Sequence, residues 1–401
     1  MLYFHGENCY GVVLKEKIVP AKKKFDYPTV LTLSLSHMVS DMYAAFLAPV
    51  LPLLISGLGI TKFQAGLLDF ARKAPTVLNP LFGMIADRID AKYFLILGCV
   101  IITVSMSLLG AVNDYSSLLI LVVVAGIGTS IYHVPGPVII KKVVPDKLGT
   151  GMSYYMLGGE FARTLGPLMI LSAVSLWSFE GSWRVMPVGL AVSLFLYFRI
   201  RKIKVHSRHS GEKSGFKEYR KYTGFFLILL CMMFFRSAMH SSLTLFLPTY
   251  LTHKGHSLWF AGISLSLLQF AGAAGTLAIG SLSDKIGRKN TLAAISVLNP
   301  IMMFSFLYLP EIFILPVLIV SGFILFGSNP IILALVQERD TKNLSFLNGT
   351  YMSINFAGSS VMVLVIGYLS DLWGLDKAFH TAGFLSVLAI PFVLMLKEKK
   401  T

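Results

Sequence analysis

Long apolar stretches separated by short polar segments form the dominant pattern of this chain. Most of them reach the roughly 20 residues that an α-helix needs to cross the hydrocarbon core of a membrane. Because backbone polar groups must be paired within lipid, the stretches predict helices rather than open sheets. The prediction is an all-α membrane protein with twelve transmembrane helices, over residues 29–56, 62–85, 93–112, 116–140, 152–176, 185–198, 223–252, 258–282, 291–309, 312–336, 348–370 and 378–396.

The polar segments divide the chain into two halves. Residues 199–222 hold nine Lys and Arg residues against Glu212 and Glu218, which is typical of a solvated linker. We predict two six-helix bundles, over 29–198 and 223–396, joined by this basic cytoplasmic linker. The remaining segments, 1–28 and 397–401, are predicted to be cytoplasmic tails.

A repeated motif indicates that the two bundles arose by duplication. Three residues recur 197 positions later in the chain, Gly83 as Gly280, Asp87 as Asp284 and Lys92 as Lys289. Internal repeats of this length are typical of secondary transporters. The second copy, Gly280–Lys289, is predicted to be a short basic turn between two apolar helices.

Composition agrees with a membrane protein and charge placement predicts its orientation. The chain is 55% hydrophobic and 14% charged, with a mean hydropathy of +0.71. The net charge of +15 would suit nucleic acid, but an N-terminus in the cytoplasm places 27 Lys and Arg residues in inner segments and 4 in outer loops. This bias follows the positive-inside rule. We expect a multi-pass protein of the cell (inner or plasma) membrane, with lipid contacts, both termini cytoplasmic and no nucleic-acid partner.

The segment Gly280–Lys289 has the form G-x-x-x-D-(R/K)-x-G-R-K and resembles the signature loop of the major facilitator superfamily of transporters. The first copy departs from this form at Asp90 and Ala91. The resemblance implies two six-helix bundles around a central cavity lined by helices 1, 4, 7 and 10. It also implies a gating motif at the cytoplasmic side, formed by Gly83, Asp87, Arg88, Gly280, Asp284, Lys285, Gly287, Arg288 and Lys289.

Three further stretches look like the fosmidomycin-resistance branch of that superfamily. They are 33–41 in helix 1, Asn79-Pro80-Leu81-Phe82-Gly83, and the glycines of Gly158-Gly159-x6-Gly166-Pro167. His133 also fits, since the branch places a histidine late in helix 4. Residues 134–138 depart from the branch, which has a Pro-Glu pair and an Arg there. The resemblance implies efflux by an antiporter, with an antibiotic as one expected cargo.

Ionisable residues within apolar helices are costly, so each is a candidate functional residue. Asp41, His37 and Glu160 are candidates for proton coupling. Asp41 is the first of them, because no Lys or Arg on helix 1 holds it in the charged form. The candidates for substrate binding are Arg72, Lys73, His133, Arg163, Arg236 and His240. With Asp69 included, the basic residues exceed the acidic ones by one, which favours an anionic substrate.

Structural roles for these residues stay open at this level. Glu160 and Arg163, three residues apart, are also compatible with a neutralised structural pair. Asp69 would be solvated if it lay near the outer surface, and His133 and His240 would serve equally as helix-contact residues. The glycines of helix 8 favour close packing over ligand contact.

The sequence favours a secondary active transporter of a small organic solute that works by alternating access. It contains no P-loop, no HExxH motif and no GxSxG motif, so neither ATP hydrolysis nor these enzyme chemistries are expected. We expect proton-coupled export by a monomer that needs no cofactor and no metal. The alternative is a non-transporting receptor or scaffold on the same fold, although the short tails and linker disfavour it.

Overall fold

A computed structural model describes residues 25–79, 81–82, 85, 90–144, 147–201, 222–338 and 344–396, and these are helical with no strand among them. Residues 1–24 and 397–401 of the predicted tails and most of the linker lie outside the described residues. In the N-terminal half, helix 1 spans Tyr27–Ala44 and Leu47–Leu58, helix 2 Lys62–Lys73 with a 3-10 turn Ala74–Leu78, and helix 3 Ala91–Ser107 with a 3-10 turn Leu108–Ala111. Helix 4 spans Tyr115–His133 and Gly136–Val143, helix 5 Leu148–Trp177, and helix 6 Glu180–Val185 as a 3-10 turn and Met186–Ile200.

The C-terminal half repeats this arrangement. Helix 7 spans Thr223–Ser241, a π-helical turn Ser242–Phe246 and Leu247–His253, helix 8 Leu258–Ile286 and helix 9 Arg288–Tyr308. Helix 10 spans a 3-10 turn Glu311–Phe313 and Ile314–Gln337, helix 11 Leu344–Trp373, and helix 12 Leu375–Val387 and Ala389–Met395. The all-α prediction is confirmed, and most helix ends fall within a few residues of their predicted positions.

Prolines explain two breaks that the apolar pattern did not predict. Helix 1 is interrupted before Pro49, and helix 4 is interrupted at Val134 and Pro135. A proline lacks the N–H that would bond the carbonyl four residues earlier, and its ring crowds that carbonyl. The second break places His133 at the end of a helical segment, with its carbonyl facing Pro137 rather than a donor.

The predicted turn over Gly280–Lys289 is wrong for most of its length. Helix 8 continues to Ile286 and helix 9 begins at Arg288, so a single residue separates them. That residue is Gly287, whose φ of 93° is a conformation that glycine adopts without a Cβ penalty. The motif is therefore the end of one helix and the start of the next.

Ten helices within the described residues are long and apolar enough to cross a membrane. The two predicted spans outside this set are helices 2 and 5. They are the helices that carry Asp69, Arg72 and Lys73, and Glu160 and Arg163. These charged side chains themselves lower the hydropathy of the two segments, and their cost in lipid favours positions that face protein or water.

The halves meet mainly along three helix pairs. The second segment of helix 1 packs against helix 7. Helix 2 packs against helix 11, and helix 5 packs against helix 8. Within the halves, helix 1 packs on helix 5 and helix 8 on helix 10. The helix 8 contact is close, since a Cβ on Gly275 would lie 1.9 Å from the carbonyl oxygen of Phe323. This agrees with a packing role for the helix 8 glycines.

Among the described residues, the polar contacts between the halves lie at one end of the bundle. This end carries residues 59–61, 112–114, 178–179, 254–257, 309–310 and 374, and we call it the outer end because the charge distribution predicts that it faces outside. There the indole Nε1 of Trp259 donates to Ser175 Oγ at 2.7 Å. The backbone N–H groups of Lys62 and Phe63 donate to Asp371 at 2.8 Å each.

Candidate functional site

A cavity of about 430 Å³ lies between the two halves, near the middle of the bundle. Its lining contains four basic and two acidic side chains, together with two histidines. These charged and titratable residues are Asp41, Asp69, Arg72, Lys73, His133, Arg163, Arg236 and His240. The remaining sequence candidates in the helix interiors, His37 and Glu160, do not line it.

Asp41 lies between two imidazoles. His37 Nε2, one turn earlier on helix 1, is 3.4 Å from Asp41 Oδ2. His133 Nε2, at the break in helix 4, is 3.1 Å from Asp41 Oδ1. Since no lysine or arginine pairs with Asp41 among the described residues, its charge is balanced only when a histidine is protonated.

His37 has a defined tautomer because of its second nitrogen. Nδ1 lies 2.7 Å from the backbone carbonyl oxygen of Tyr155, and a carbonyl only accepts, so Nδ1 carries the proton. The ring also stacks on the Tyr155 ring with centroids 4.1 Å apart. His37 is thus fixed with Nε2 toward Asp41.

Glycines of helix 5 make this arrangement fit. A Cβ on Gly159 would lie 2.8 Å from His37 Cε1 and 3.4 Å from Asp41 Oδ2. A Cβ on Gly158 would lie 2.3 Å from the carbonyl oxygen of Ser34. The Gly158-Gly159-x6-Gly166 pattern therefore marks the surface on which helix 1 packs against helix 5.

The donor atoms of His37, Asp41 and His133 lie within 4.8 Å of one another, a spacing that would also admit a metal ion. Two imidazoles and a carboxylate are suitable ligands for a first-row divalent metal. The surplus of basic side chains around the cavity opposes the binding of a divalent cation. The expectation of no metal stays a prediction.

Asp69 is buried and shared by two cations. It is 3% exposed, with Arg72 Nη2 at 2.7 Å and Lys73 Nζ at 2.6 Å. The alternative that Asp69 is solvated at the surface is wrong, because helix 2 turns this residue inward. One carboxylate opposite two cations leaves a positive charge on the cavity wall.

Arg163 and Glu160 pair directly along helix 5, through Arg163 Nη2 and Glu160 Oε1. Arg163 lines the cavity, whereas Glu160 does not. Structural and functional roles for the pair remain compatible with this geometry. The position of Arg163 favours contact with cavity contents, with Glu160 behind it.

Arg236 is held by helix 10. It is 8% exposed, and Nη2 donates to the Leu325 carbonyl oxygen at 3.0 Å and to Asn329 Oδ1 at 2.8 Å. Among the described residues Arg236 has no acidic partner. His240, one turn later on helix 7, packs against the Phe326 ring with centroids 5.4 Å apart.

The second copy of the predicted gating motif lies at the inner end of the bundle, away from the cavity. Arg288 Nη1 is 2.7 Å from Asp284 Oδ1, and Arg288 Nε is 3.0 Å from Oε1 of Glu338, the residue that follows helix 10. Both pairs lie within the C-terminal half. Lys285 and Lys289 flank Gly287. The gating candidates of the first copy, Gly83, Asp87 and Arg88, lie outside the described residues.

The search for ionisable residues missed uncharged polar groups of the lining. They are Thr129, Ser237, Thr244, Gln269, Asn329, Asn355 and Ser359. An amide in an otherwise apolar run is a usable signal, and Asn329 stands out in the segment Gly327-Ser328-Asn329-Pro330 of helix 10. Hydroxyl groups give a weaker signal, because they also bond to carbonyls within their own helix.

Comparisons with known proteins agree with this architecture. Residues 33–345 match the family model described as Major Facilitator Superfamily. The chain is 24% identical over 381 residues to the fosmidomycin resistance protein of Escherichia coli (strain K12), which covers 92% of this chain and 93% of that protein. The resemblance stated from the sequence is thereby confirmed.

Solved structures agree on the fold. A bacterial homologue of the human lysosomal transporter Spinster, in an inward-facing and unoccupied conformation, matches with a TM-score of 0.76 at 16% identity, over 93% of this chain and 95% of that chain. A D-xylose–proton symporter matches with a TM-score of 0.74 at 15% identity, over 93% and 98% of the two chains.

Proposed function

The chain belongs to the Major Facilitator Superfamily, and on this basis we propose that it is a secondary active transporter that exports a small organic anion in exchange for protons. The observation that carries the proposal is the charged cavity between the halves. Its volume of about 430 Å³ lies in the range of sites for small molecules. The charges of its lining support an anionic substrate. The cluster formed by His37, Asp41 and His133 supports proton coupling.

The excess of basic side chains supports an anionic substrate. Asp69 offsets only one of its two cationic neighbours, and Arg236 has no acid beside it among the described residues. Basic groups in a cavity with low-dielectric walls attract carboxylates or phosphonates and hold them by charge-assisted hydrogen bonds. The name of the Escherichia coli relative supports export, with an antibiotic as one cargo.

The contact between His37 and Asp41 supports proton coupling. When His37 carries two protons, Nδ1 donates to Tyr155 and Nε2 faces Asp41 as a donor. When Nε2 loses its proton, its lone pair faces a carboxylate oxygen at 3.4 Å, and the contact becomes repulsive. Protonation therefore controls whether the cluster holds together. Glu160 is the second candidate, set free when a bound anion draws Arg163 away.

Alternating access explains how substrate transport and proton transport are linked. The contacts of Trp259 with Ser175 and of Asp371 with helix 2 join the halves at the outer end. We assign this arrangement to the inward-facing state, with the cavity closed to the outside. Rocking of the halves about the cavity would break these contacts and bring the inner motifs together.

The proposal includes a location and an oligomeric state. The protein would lie in the cell membrane with both termini in the cytoplasm, as the charge distribution predicts. One chain supplies both walls of the cavity, so a monomer is sufficient for transport. Protons and one small organic anion would be its transported partners.

A flux assay in proteoliposomes tests the proposal. Purified protein is given an imposed pH gradient and a panel of labelled solutes: organic anions including fosmidomycin, size-matched neutral compounds, and lipophilic cations. We expect gradient-dependent movement of an anion that is lost in Arg236→Gln and kept in Lys254→Gln, which removes a cation at the outer end. Selectivity for lipophilic cations, or an unaffected Arg236→Gln variant, would contradict it.

A further inference from the structure

The two walls of the cavity differ in chemistry. Acidic and basic side chains line it from the N-terminal half, whereas the C-terminal half presents three amides, Gln269, Asn329 and Asn355, besides Arg236 and His240. We propose that Asn329 is a specificity-determining residue that donates a hydrogen bond to an uncharged oxygen of the substrate, and that Arg236 positions it. This inference rests on the proposed function and narrows its substrate class.

The orientation of the Asn329 amide follows from its partner. A guanidinium has only donors, so the atom that faces Arg236 at 2.8 Å must be the carbonyl oxygen Oδ1. The amide nitrogen Nδ2 then points away from Arg236. Because Asn329 is half-buried and lines the cavity, its two N–H donors are presented to the cavity contents.

Arg236 is fixed well enough to act as a positioning residue. Its Nη2 group also donates to the carbonyl of Leu325, one turn before Asn329 on the same helix. Behind it lies a cavity of about 10 Å³ lined by Asn299 and Ser296, room for one water molecule. In the described part of the chain, neither Arg236 Nε nor Asn299 Oδ1 has a hydrogen-bond partner. A bridging water there would hold the guanidinium from its other side.

An asparagine at this position keeps the charge of Arg236 available. An aspartate would accept the same hydrogen bond but would neutralise the cation. Asn329 accepts the bond without adding charge, so the C-terminal wall retains a positive field and gains an oriented donor. The site is thereby suited to an anion that also carries uncharged oxygens.

The amide wall defines the class of compound. Amide N–H groups bind hydroxyl or carbonyl oxygens, and a wall of unmet donors discriminates against a ligand that lacks such oxygens. The basic residues of the other wall bind the anionic group, and the positive field of Arg236 adds to its attraction. The substrate class is therefore an organic acid with hydroxyl or carbonyl groups along the part of the molecule remote from its charge.

Thermal unfolding of the purified protein tests this inference without a known substrate. Unfolding is followed with a thiol-reactive dye, since Cys99 is buried in the folded protein. The probes are gluconate and hexanoate, two monoanions with the same number of carbons that differ in their hydroxyl groups. We expect gluconate to raise the unfolding temperature of the wild type and hexanoate, at equal concentration, to have no comparable effect.

Three variants assign the preference to Asn329. Asn329→Ala should weaken gluconate binding by about tenfold, the loss of one hydrogen bond. Asn329→Asp should abolish it and raise the unfolding temperature without ligand, because the buried Arg236 gains an ion pair. Asn290→Ala, at the inner end of helix 9, should keep the wild-type preference.

Two results would overturn the inference, and they differ in what they say about the proposed function. If hexanoate stabilises the wild type as much as gluconate, or Asn329→Ala keeps the full preference, the role of Asn329 is wrong while anion binding stands. If neither anion stabilises the wild type, both this inference and the anionic substrate class are wrong.

Discussion

The carboxylate of Asp371 on helix 11 caps the start of helix 2 at Lys62. It accepts the backbone N–H of Lys62 on one oxygen and that of Phe63 on the other, both at 2.8 Å. Thr61 takes the next N–H, of Gln64, at 3.1 Å. A helix cannot satisfy the first N–H donors of its own chain internally. Here acceptors from both halves of the molecule satisfy them.

Removal of this cap should open the outer end. In Asp371→Ala the inward-facing state loses two charge-assisted hydrogen bonds, which favours the outward-facing state by at least tenfold. We expect a cysteine at Ser359, in the cavity of an otherwise cysteine-free protein, to react about tenfold faster with an impermeant thiol reagent added outside.

The matched control for this prediction is Asp376→Ala. Asp376 pairs with Lys254 at 2.6 Å at the same end of the molecule, but both residues belong to the C-terminal half. Its removal should leave the labelling rate unchanged. Equal acceleration in both variants would mean that the effect is a general loosening of the outer end.

Asp41→Asn should separate transport from coupling. An asparagine keeps the size of Asp41 but lacks the negative charge that lies between His37 and His133. We expect gradient-driven accumulation to be abolished while exchange of preloaded substrate continues. Proteoliposome uptake with and without a pH gradient, beside counterflow of the solute found in the panel, measures both. Retained accumulation would remove Asp41 from the coupling role and assign that role to Glu160 or to the histidines.

Gly159→Ala should displace His37 without unfolding the protein. The added methyl group would meet the imidazole at 2.8 Å, and the ring is held by Tyr155 from its other nitrogen. We expect transport to fall at least tenfold while the protein still purifies as a single species. Gly57→Ala, where a Cβ meets nothing within 4 Å, should transport normally, and equal loss in both would exclude a specific effect on His37.

Asp284→Asn should slow transport with little effect on stability. The pair with Arg288 is solvated, since the Asp284 side chain is 61% exposed, and such pairs contribute about 0–1 kcal/mol. Arg288 would keep Glu338 and lose the neighbour that sets its position for the gate. Substrate binding by thermal shift should be retained, and a comparison with Asp87→Asn tests whether the complete motif matters more. Equal loss in the two would argue against that asymmetry.

The parts of the site that local geometry determines could be predicted from the sequence. His37 with Asp41, and Glu160 with Arg163, are one turn apart on their helices and do contact each other. His133 reaches Asp41 only through the packing of helices 1 and 4, and Asn329 reaches Arg236 only through that of helices 7 and 10. Neither pairing leaves a trace in residue spacing. The amides were missed because the cost of burial was considered only for charges.

The apolar pattern predicted the number and order of the helices but not their interruptions. Pro135 and Pro137 end a helical segment beside His133, and the pattern alone joined the two segments into one helix. The single-residue turn at Gly287 was predicted as a longer loop because charged residues of a helix end and of a loop have the same composition.

The positive cavity has a consequence for the response to membrane voltage. If the substrate-free site carries surplus positive charge, the step that returns it to the cytoplasmic side moves charge through the electric field. The energy involved is about 2.3 kcal/mol per elementary charge for each 100 mV crossed. A potential that is negative inside draws the empty site toward the cytoplasm. Binding of an anion cancels part of that charge, so the membrane potential opposes outward movement of the loaded carrier less strongly. The resting potential would thus reset an exporter after each cycle, and depolarised vesicles should show slower turnover at saturating substrate.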